Sequence, residues 1–150
     1  MRGITVLTIV PVQASDLDQL AVLSRELCGR TVNMARLRDA VEKMLANHDY
    51  ILLGAKDAQQ RLVGFVMAII CLDIVGDCRP FAVMENLIVA EKARGLGAGR
   101  MLVAAIEQQA RDRDCYYLMF NSLAERKQAH QFYARIGYAK GIVEGFKRYL

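Results

Sequence analysis

Hydrophobic positions along this chain change their spacing several times, and each change marks an element. Ile4 to Val10 is dense in β-branched residues and reads as a first strand, stopped near Pro11. From Ser15 the spacing turns helical. Leu17, Leu20, Ala21, Leu23 and Leu27 share one face, and Ser15 with Asp18 three residues later resembles a capping arrangement. Asn33 is a second cap, ahead of Met34, Leu37, Val41, Met44 and Leu45 on one face. Tyr50 to Ala55 and Leu62 to Leu72 then read as strands joined by the mostly polar turn Lys56 to Arg61, and Phe81 to Val89 as a further strand. A glycine-rich loop follows, then a helix from Arg100 to Arg113 with Leu102, Ile106 and Ala110 inward. Tyr116 to Phe120 is a strand, Glu125 to Ile136 a helix stopped by Gly137, and Tyr138 to Leu150 holds one or two closing strands. The order β-α-α-β-β-β-α-β-α-β predicts an α/β fold with a mixed sheet. No linker, repeat or low-complexity tract interrupts it, so residues 1–150 are expected to form one domain.

Composition narrows the function classes. Of the 150 residues, 54% are hydrophobic, which suits a packed core and not a disordered chain. The longest apolar stretch, Leu62 to Leu72, is far short of the roughly 18–20 residues of a spanning helix, and the start of the chain has no small-residue cleavage site. No membrane association is expected. Lys and Arg number 20 against 16 acids, a formal +4 that suits anionic partners. The basic residues are scattered and no aromatic platform accompanies them, so no nucleic acid is expected as a partner. Cys28, Cys71, Cys78 and Cys115 lack CxxC spacing, and His48 and His130 complete no ligand cluster. No metal is expected. Reduced thiols point to a cytoplasmic protein.

The chemistry concentrates in Arg94-Gly95-Leu96-Gly97-Ala98-Gly99, between a hydrophobic strand and an amphipathic helix. Glycine permits positive φ and a close approach of backbone to ligand. Free N–H groups at the helix start then make an anion site, with Arg94 and Arg100 flanking it. Three glycines exceed what an ordinary turn needs and favour phosphate. A Walker loop would end in Gly-Lys-Ser/Thr, whereas Gly99 precedes Arg100-Met101. A dinucleotide fingerprint would be GxGxxG after the first strand, with an acid ending the next strand. Here the spacing differs, the strand is late, and Asn121 ends the next one.

RGLGAG matches the Arg/Gln-x-x-Gly-x-Gly/Ala signature of the GNAT superfamily of N-acetyltransferases. The surrounding ENLIVAEKARGLGAGRML resembles that family's fourth strand, loop and third helix, and AHQFYARIGY is similar to its second motif. The start of the strand at Cys115-Tyr116 also looks like that of the small-amine members. The match is strong over Met84 to Tyr138.

The resemblance implies a mostly antiparallel sheet, splayed between its fourth and fifth strands and flanked by about four helices. It implies acetyl-CoA as co-substrate. Pantetheine would pair with the main chain of Leu87, Ile88 and Val89, one of whose N–H groups would polarise the thioester carbonyl. Arg94, Gly95, Leu96, Gly97, Ala98, Gly99 and Arg100 would hold the pyrophosphate, and Asn121, Phe132 and Tyr133 would line the other wall. Acetyl would pass directly from thioester to amine, which requires a base and an acid. Tyr133 is the candidate acid, or a core aromatic beside Phe132. Glu85 is the candidate base, working directly or through a water. It stands in an apolar run, where a carboxylate would have a raised pKa or a partner. The alternative is a solvent-facing residue on a strand where Glu85, Leu87 and Val89 share a face. One departure is Arg126, where the family often has Asn three residues before the helix alanine, Ala129 here; Asn121 would serve instead. His130 and Cys115 are minor candidates.

The expected partner is a small-molecule amine carrying an anionic group, with Arg25 to Arg36 and Leu72 to Pro80 forming the acceptor region. Both acids (Glu26, Asp73, Asp77) and arginines (Arg30, Arg36, Arg79) lie there. A protein N-terminus or lysine stays open as acceptor, a homodimer stays open as the assembly, and a coenzyme-binding sensor without turnover is the rival reading.

Overall fold

Five strands lie side by side in sequence order in the computed structural model, which describes residues 6–150. They are β1 (Thr8–Pro11), β2 (Tyr50–Lys56), β3 (Leu62–Cys71), β4 (Phe81–Val89) and β5 (Leu118–Met119). Neighbours run antiparallel up to β4, and β5 joins β4 in parallel. Helices α1 (Leu17–Cys28), α2 (Met34–Leu45) and α3 (Ala98–Asp112) belong with this sheet, and α4 (Lys127–Arg135) follows it. The chain divides into two compact units, one ending at Met119 and the other running Phe120–Leu150.

The sheet of the first unit is covered on both faces. Gly64 faces α3 so closely that an added Cβ would stand 3.1 Å from Leu102 Cδ1. Val66 and Ala68 follow on that face by the two-residue period of a strand, and Met84 joins them as the partner of Ala68. All three side chains are buried, as are Leu102, Val103 and Ile106 of α3. On the opposite face Leu17, Leu20 and Leu23 of α1 and Val41 of α2 pack with Leu52 and Ile88, and Phe65 and Met67 join them. Most of the helical spacings are kept, and Asn33 caps α2 through its side chain on the Arg36 N–H at 3.0 Å.

Four expectations change. The first strand starts at Thr8 and includes Pro11; Ile4 and Thr5 of its expected span lie outside the described residues. Ser15 does not cap α1. A 3₁₀ turn at Ala14–Asp16 precedes that helix, and the buried Asp16 accepts the Gln13 N–H at 3.0 Å. Its other oxygen meets Lys56 Nζ at 2.7 Å, so this carboxylate is satisfied on both sides. The strand expected over Tyr116 to Phe120 shrinks to Leu118–Met119, although Ala82 N–H still reaches the Tyr117 carbonyl at 3.0 Å. Beyond Tyr138 no closing strand forms, and Gly141 to Leu150 are all exposed. In the second unit α4 is the only regular element among the described residues.

Candidate acyl-donor site

A bulge in β4 shapes the candidate site. Phe65 pairs with Ile88 and Met67 with Glu85, so Asn86 and Leu87 together stand opposite Val66. The extra residue is accommodated by Asn86 at φ +56, a left-handed conformation that Asn tolerates better than most residues. Its Nδ2 lies 3.3 Å from Met67 Sδ. The bulge also reverses the faces. Strict alternation would put Ile88 with Met84 on the α3 face; instead it pairs with Phe65 and enters the core under α1. Glu85 therefore shares a face with Ile88, not with Leu87 and Val89 as simple alternation predicts.

The apolar run does not bury Glu85. Glu85 and Asn86 are both exposed, Leu87 and Val89 are half-buried and Ile88 is buried. No ion pair reaches Glu85 among the described residues. On its outer side β4 pairs with β5 only at Ala82 and Val83. From Met84 to Val89 that edge has no strand partner among the described residues.

The loop after β4 begins with a 3₁₀ turn at Glu91–Ala93, and Arg94 folds back so that Nε donates to the Val89 carbonyl at 3.3 Å. Gly95 and Gly97 have φ of +80 and +89, and a Cβ built at either would meet nothing within 4 Å. Both glycines thus serve backbone geometry, and the space above them is clear for a ligand. Gly97 is the N-cap of α3, which starts two residues earlier than the spacing predicts, so Ala98 and Gly99 supply its first N–H groups. No side chain among the described residues caps this end and no acid lies in its first turn. Unsatisfied donors and the helix dipole favour an anion there, with Lys92, Arg94 and Arg100 exposed around it.

In the second unit Tyr133 and Phe132 are half-buried on α4 and belong to one aromatic cluster. Ring centroids are 4.2 Å from Tyr133 to Phe120, 5.2 Å to Phe132 and 6.3 Å to Tyr138. Asn121 is exposed, and a Cβ at Gly145 would approach its Oδ1 to 3.1 Å. His130 accounts for both ring nitrogens locally, Nε2 at 2.9 Å from the Leu123 carbonyl and Nδ1 at 3.4 Å from Lys140 Nζ. Burial pushes the Cys115 thiol up, which disfavours the thiolate an acyl-carrying cysteine needs.

Several charges of the expected acceptor region are engaged locally. Glu26 accepts the Glu91 N–H at 3.3 Å, Asp73 accepts the N–H groups of Ile74 and Val75, and Arg79 pairs with Asp114 at 2.9 Å while covering the Tyr116 ring. Arg30 and Arg36 are exposed and form no ion pair among the described residues. No group of three metal-ligating side chains occurs among the described residues, and no described helix is long and apolar enough to cross a membrane.

Residues 17–138 match the family model described as acetyltransferase (GNAT) family. The chain belongs to this family. It is 29% identical over 97 residues to glucosamine 6-phosphate N-acetyltransferase 1 of Oryza sativa subsp. japonica, covering 64% of this chain and 57% of that protein. The chain spans 57–58% of the length of the curated relatives it matches. Among solved structures, a putative acetyltransferase from Agrobacterium tumefaciens str. C58 superposes with a TM-score of 0.87 at 23% identity, over 95% of this chain and 99% of that one. AAC(6')-Iy in complex with the bisubstrate analog CoA-S-monomethyl-acetylneamine superposes with a TM-score of 0.80 at 21% identity, over 97% and 99% of the two chains. At these identities the structural likeness speaks for the fold, and the GNAT fold is the one expected from the motifs.

The bulge is what the sequence reading missed, together with Asn86. A signal was present: Glu85-Asn86 puts two consecutive polar residues inside an otherwise apolar strand, which alternation alone does not allow on a sheet covered on both faces.

Proposed function

We propose that this chain is an acetyl-CoA-dependent N-acetyltransferase that passes acetyl directly to the primary amine of a small molecule in a ternary complex. The observation that carries this reading is the bulged β4, whose open edge leads into two positive-φ glycines at an uncapped helix start. The coenzyme supplies the activated acetyl group. Main-chain groups of Leu87, Ile88 and Val89 hold its pantetheine, and one of their N–H groups polarises the thioester carbonyl. Arg94 to Arg100 hold the pyrophosphate, through N–H groups and the two guanidinium ions. Asn121 and Phe132 add coenzyme contacts.

Glu85, exposed and within reach of solvent, takes the proton of the acceptor ammonium directly or through one water. The amine nitrogen then bonds to the acetyl carbon as the carbon–sulfur bond breaks; Tyr133 gives its phenolic proton to the departing thiolate, and the second nitrogen proton leaves to solvent, from which the phenolate is reprotonated. A phenol of pKa about 10 is matched to a thiol of pKa about 8.5 or above. The acceptor is a small amine bearing an anionic group. Arg30 and Arg36, exposed and outside any ion pair among the described residues, suit phosphate or carboxylate. The relative's name, a glucosamine 6-phosphate acetyltransferase, points to the same class.

Thiol release from acetyl-CoA, measured over a panel of amines with and without phosphate, tests the reading. Tyr133→Phe is expected to lower turnover by about 100-fold or more while coenzyme affinity changes little. Unchanged turnover removes Tyr133 from the mechanism. Tight coenzyme binding with no thiol release across the panel identifies a sensor instead, and release only with peptides moves the acceptor to proteins.

A further inference from the structure

We propose that a cavity beside the glycine loop binds an apolar α-amino acid as the free zwitterion. The cavity measures about 600 Å³, within the range of small-molecule sites, and every residue lining it belongs to the first unit. Val22 and Leu23 of α1, Leu62 and Val63 at the start of β3, and Ala93 and Leu96 of the loop after β4 supply apolar walls. Val22 and Leu96 are 51% and 46% exposed, so this apolar surface is open to a ligand and not closed into the core. The Ala90 N–H donates to the Val63 carbonyl at 2.8 Å, and no residue of β5 lines the cavity. It therefore lies on the β3 side of β4, across that strand from its open edge.

The charged groups around these walls fall into a closed pair and an open one. Asp57 and Arg61 meet at 2.7 Å, and Asp57 Oδ1 also accepts the N–H groups of Gln59 and Arg61, so neither ion calls for a ligand. Glu26 and Lys92 form no ion pair among the described residues. They stand near one another, because Glu26 Oε2 accepts the N–H of Glu91, the residue before Lys92, at 3.3 Å. Gln19 adds donors. Its Oε1 accepts the Leu62 N–H at 2.7 Å, which fixes the amide and leaves its N–H groups without a bond among the described residues. A ligand ammonium suits Glu26, and a ligand carboxylate suits Lys92 and the Gln19 amide. The two charges of an α-amino acid flank a single carbon, so one head group serves both side chains at this corner while an apolar side chain enters the cavity. A fatty acid would set its carboxylate against Glu26, and an apolar amine its ammonium against Lys92. An amino acid bound here touches Lys92, Ala93 and Leu96, next to the loop proposed to hold pyrophosphate, yet its binding requires no acyl transfer.

An NMR titration of the isotope-labelled chain with L-phenylalanine and with L-leucine, in the absence of coenzyme, tests this. Saturable binding with a Kd of about 0.1–1 mM is expected for at least one of them, as suits so small a ligand. The shifted amides should lie in residues 19–26, 59–63 and 90–96. Phenylpropanoate, which lacks the ammonium, and phenethylamine, which lacks the carboxylate, should each bind at least about tenfold more weakly than L-phenylalanine. Glu26→Gln should weaken amino-acid binding by about the same factor, and Val22→Trp, which fills the cavity from an exposed position, should abolish it. No saturable binding of either amino acid, equal binding of a singly charged analogue, or shifts centred outside those segments overturns the proposal. So does unchanged affinity in Glu26→Gln or Val22→Trp. The analogue comparison uses the unaltered chain and stays decisive if a variant does not fold. Because no coenzyme is present, a negative result here is distinct from a failure of acyl transfer.

Discussion

Phe81 to Met84 and Glu85 to Val89 are the two halves of one strand, and they are built to different ends. In the first half Ala82 and Val83 are paired on both sides, and Ala82 and Met84 are buried. In the second half pairing survives on one side only, Glu85 and Asn86 are exposed at the bulge, and the free edge runs into the glycine loop. The contrast teaches that a strand has backbone to offer a ligand where its own sheet stops using it. The residues that fold this protein and those proposed to give it activity therefore separate along a strand of nine residues.

That separation is open to attack from both halves. The largest effect is expected from the packing half. Met84→Ala removes a fully buried side chain on the α3 face and is expected to cost about 3–4 kcal/mol of stability. Coenzyme affinity of the folded fraction should be unchanged. Chemical unfolding with coenzyme titration reads both, and an equal loss of affinity would break the comparison. Glu85→Gln, one residue on, should do the reverse. Turnover falls by about 100-fold with stability altered by under about 0.5 kcal/mol, as for other exposed surface changes. Unchanged turnover in this variant would take Glu85 out of the base role.

Gly97→Ala sharpens the comparison inside the loop. The added methyl meets open space, so the penalty is the left-handed backbone alone, about 1–2 kcal/mol. It should appear in part as weaker coenzyme binding, by about tenfold, in a calorimetric titration. The smallest effect lies in the hairpin between β2 and β3, which belongs to neither half. The Arg61 side chain, with the N–H groups of Arg61 and Gln59, holds the Asp57 carboxyl below its ordinary 3.8. A carboxyl with a lowered folded pKa stabilises the protein above the unfolded value and loses that contribution as pH falls through the folded one. Wild type and Asp57→Asn should therefore differ in urea midpoint at neutral pH and converge below about pH 4. A gap that stays constant down to low pH would show that ionisation of Asp57 plays no part.

Much of this architecture was legible because local rules decide it. Leu17, Leu20 and Leu23, the Asn33 cap, the bounds of β4 and Gly137 at the end of α4 each depend on neighbours within a few residues. The RGLGAG loop is local too, since positive φ at Gly95 and Gly97 follows from the lack of a side chain. Glu85 was harder. An apolar run predicts burial, whereas Glu85 is exposed, and only the register against Phe65 and Met67 shows that it shares a face with Ile88. The Ser15 cap gave way to Asp16 because Lys56, distant in sequence, holds that carboxylate from β2.

The sequence by itself determined the helices, most strand positions, the glycine-rich loop and, through two motifs, the family. Tertiary structure alone decided which face Glu85 occupies, where β4 parts from β5 and that Gly141 to Leu150 stay exposed. The physical reason is range. Helix caps, glycine turns and apolar spacing are settled by nearby residues, whereas strand register, bulges and edges depend on hydrogen bonds between segments that meet only in the folded sheet.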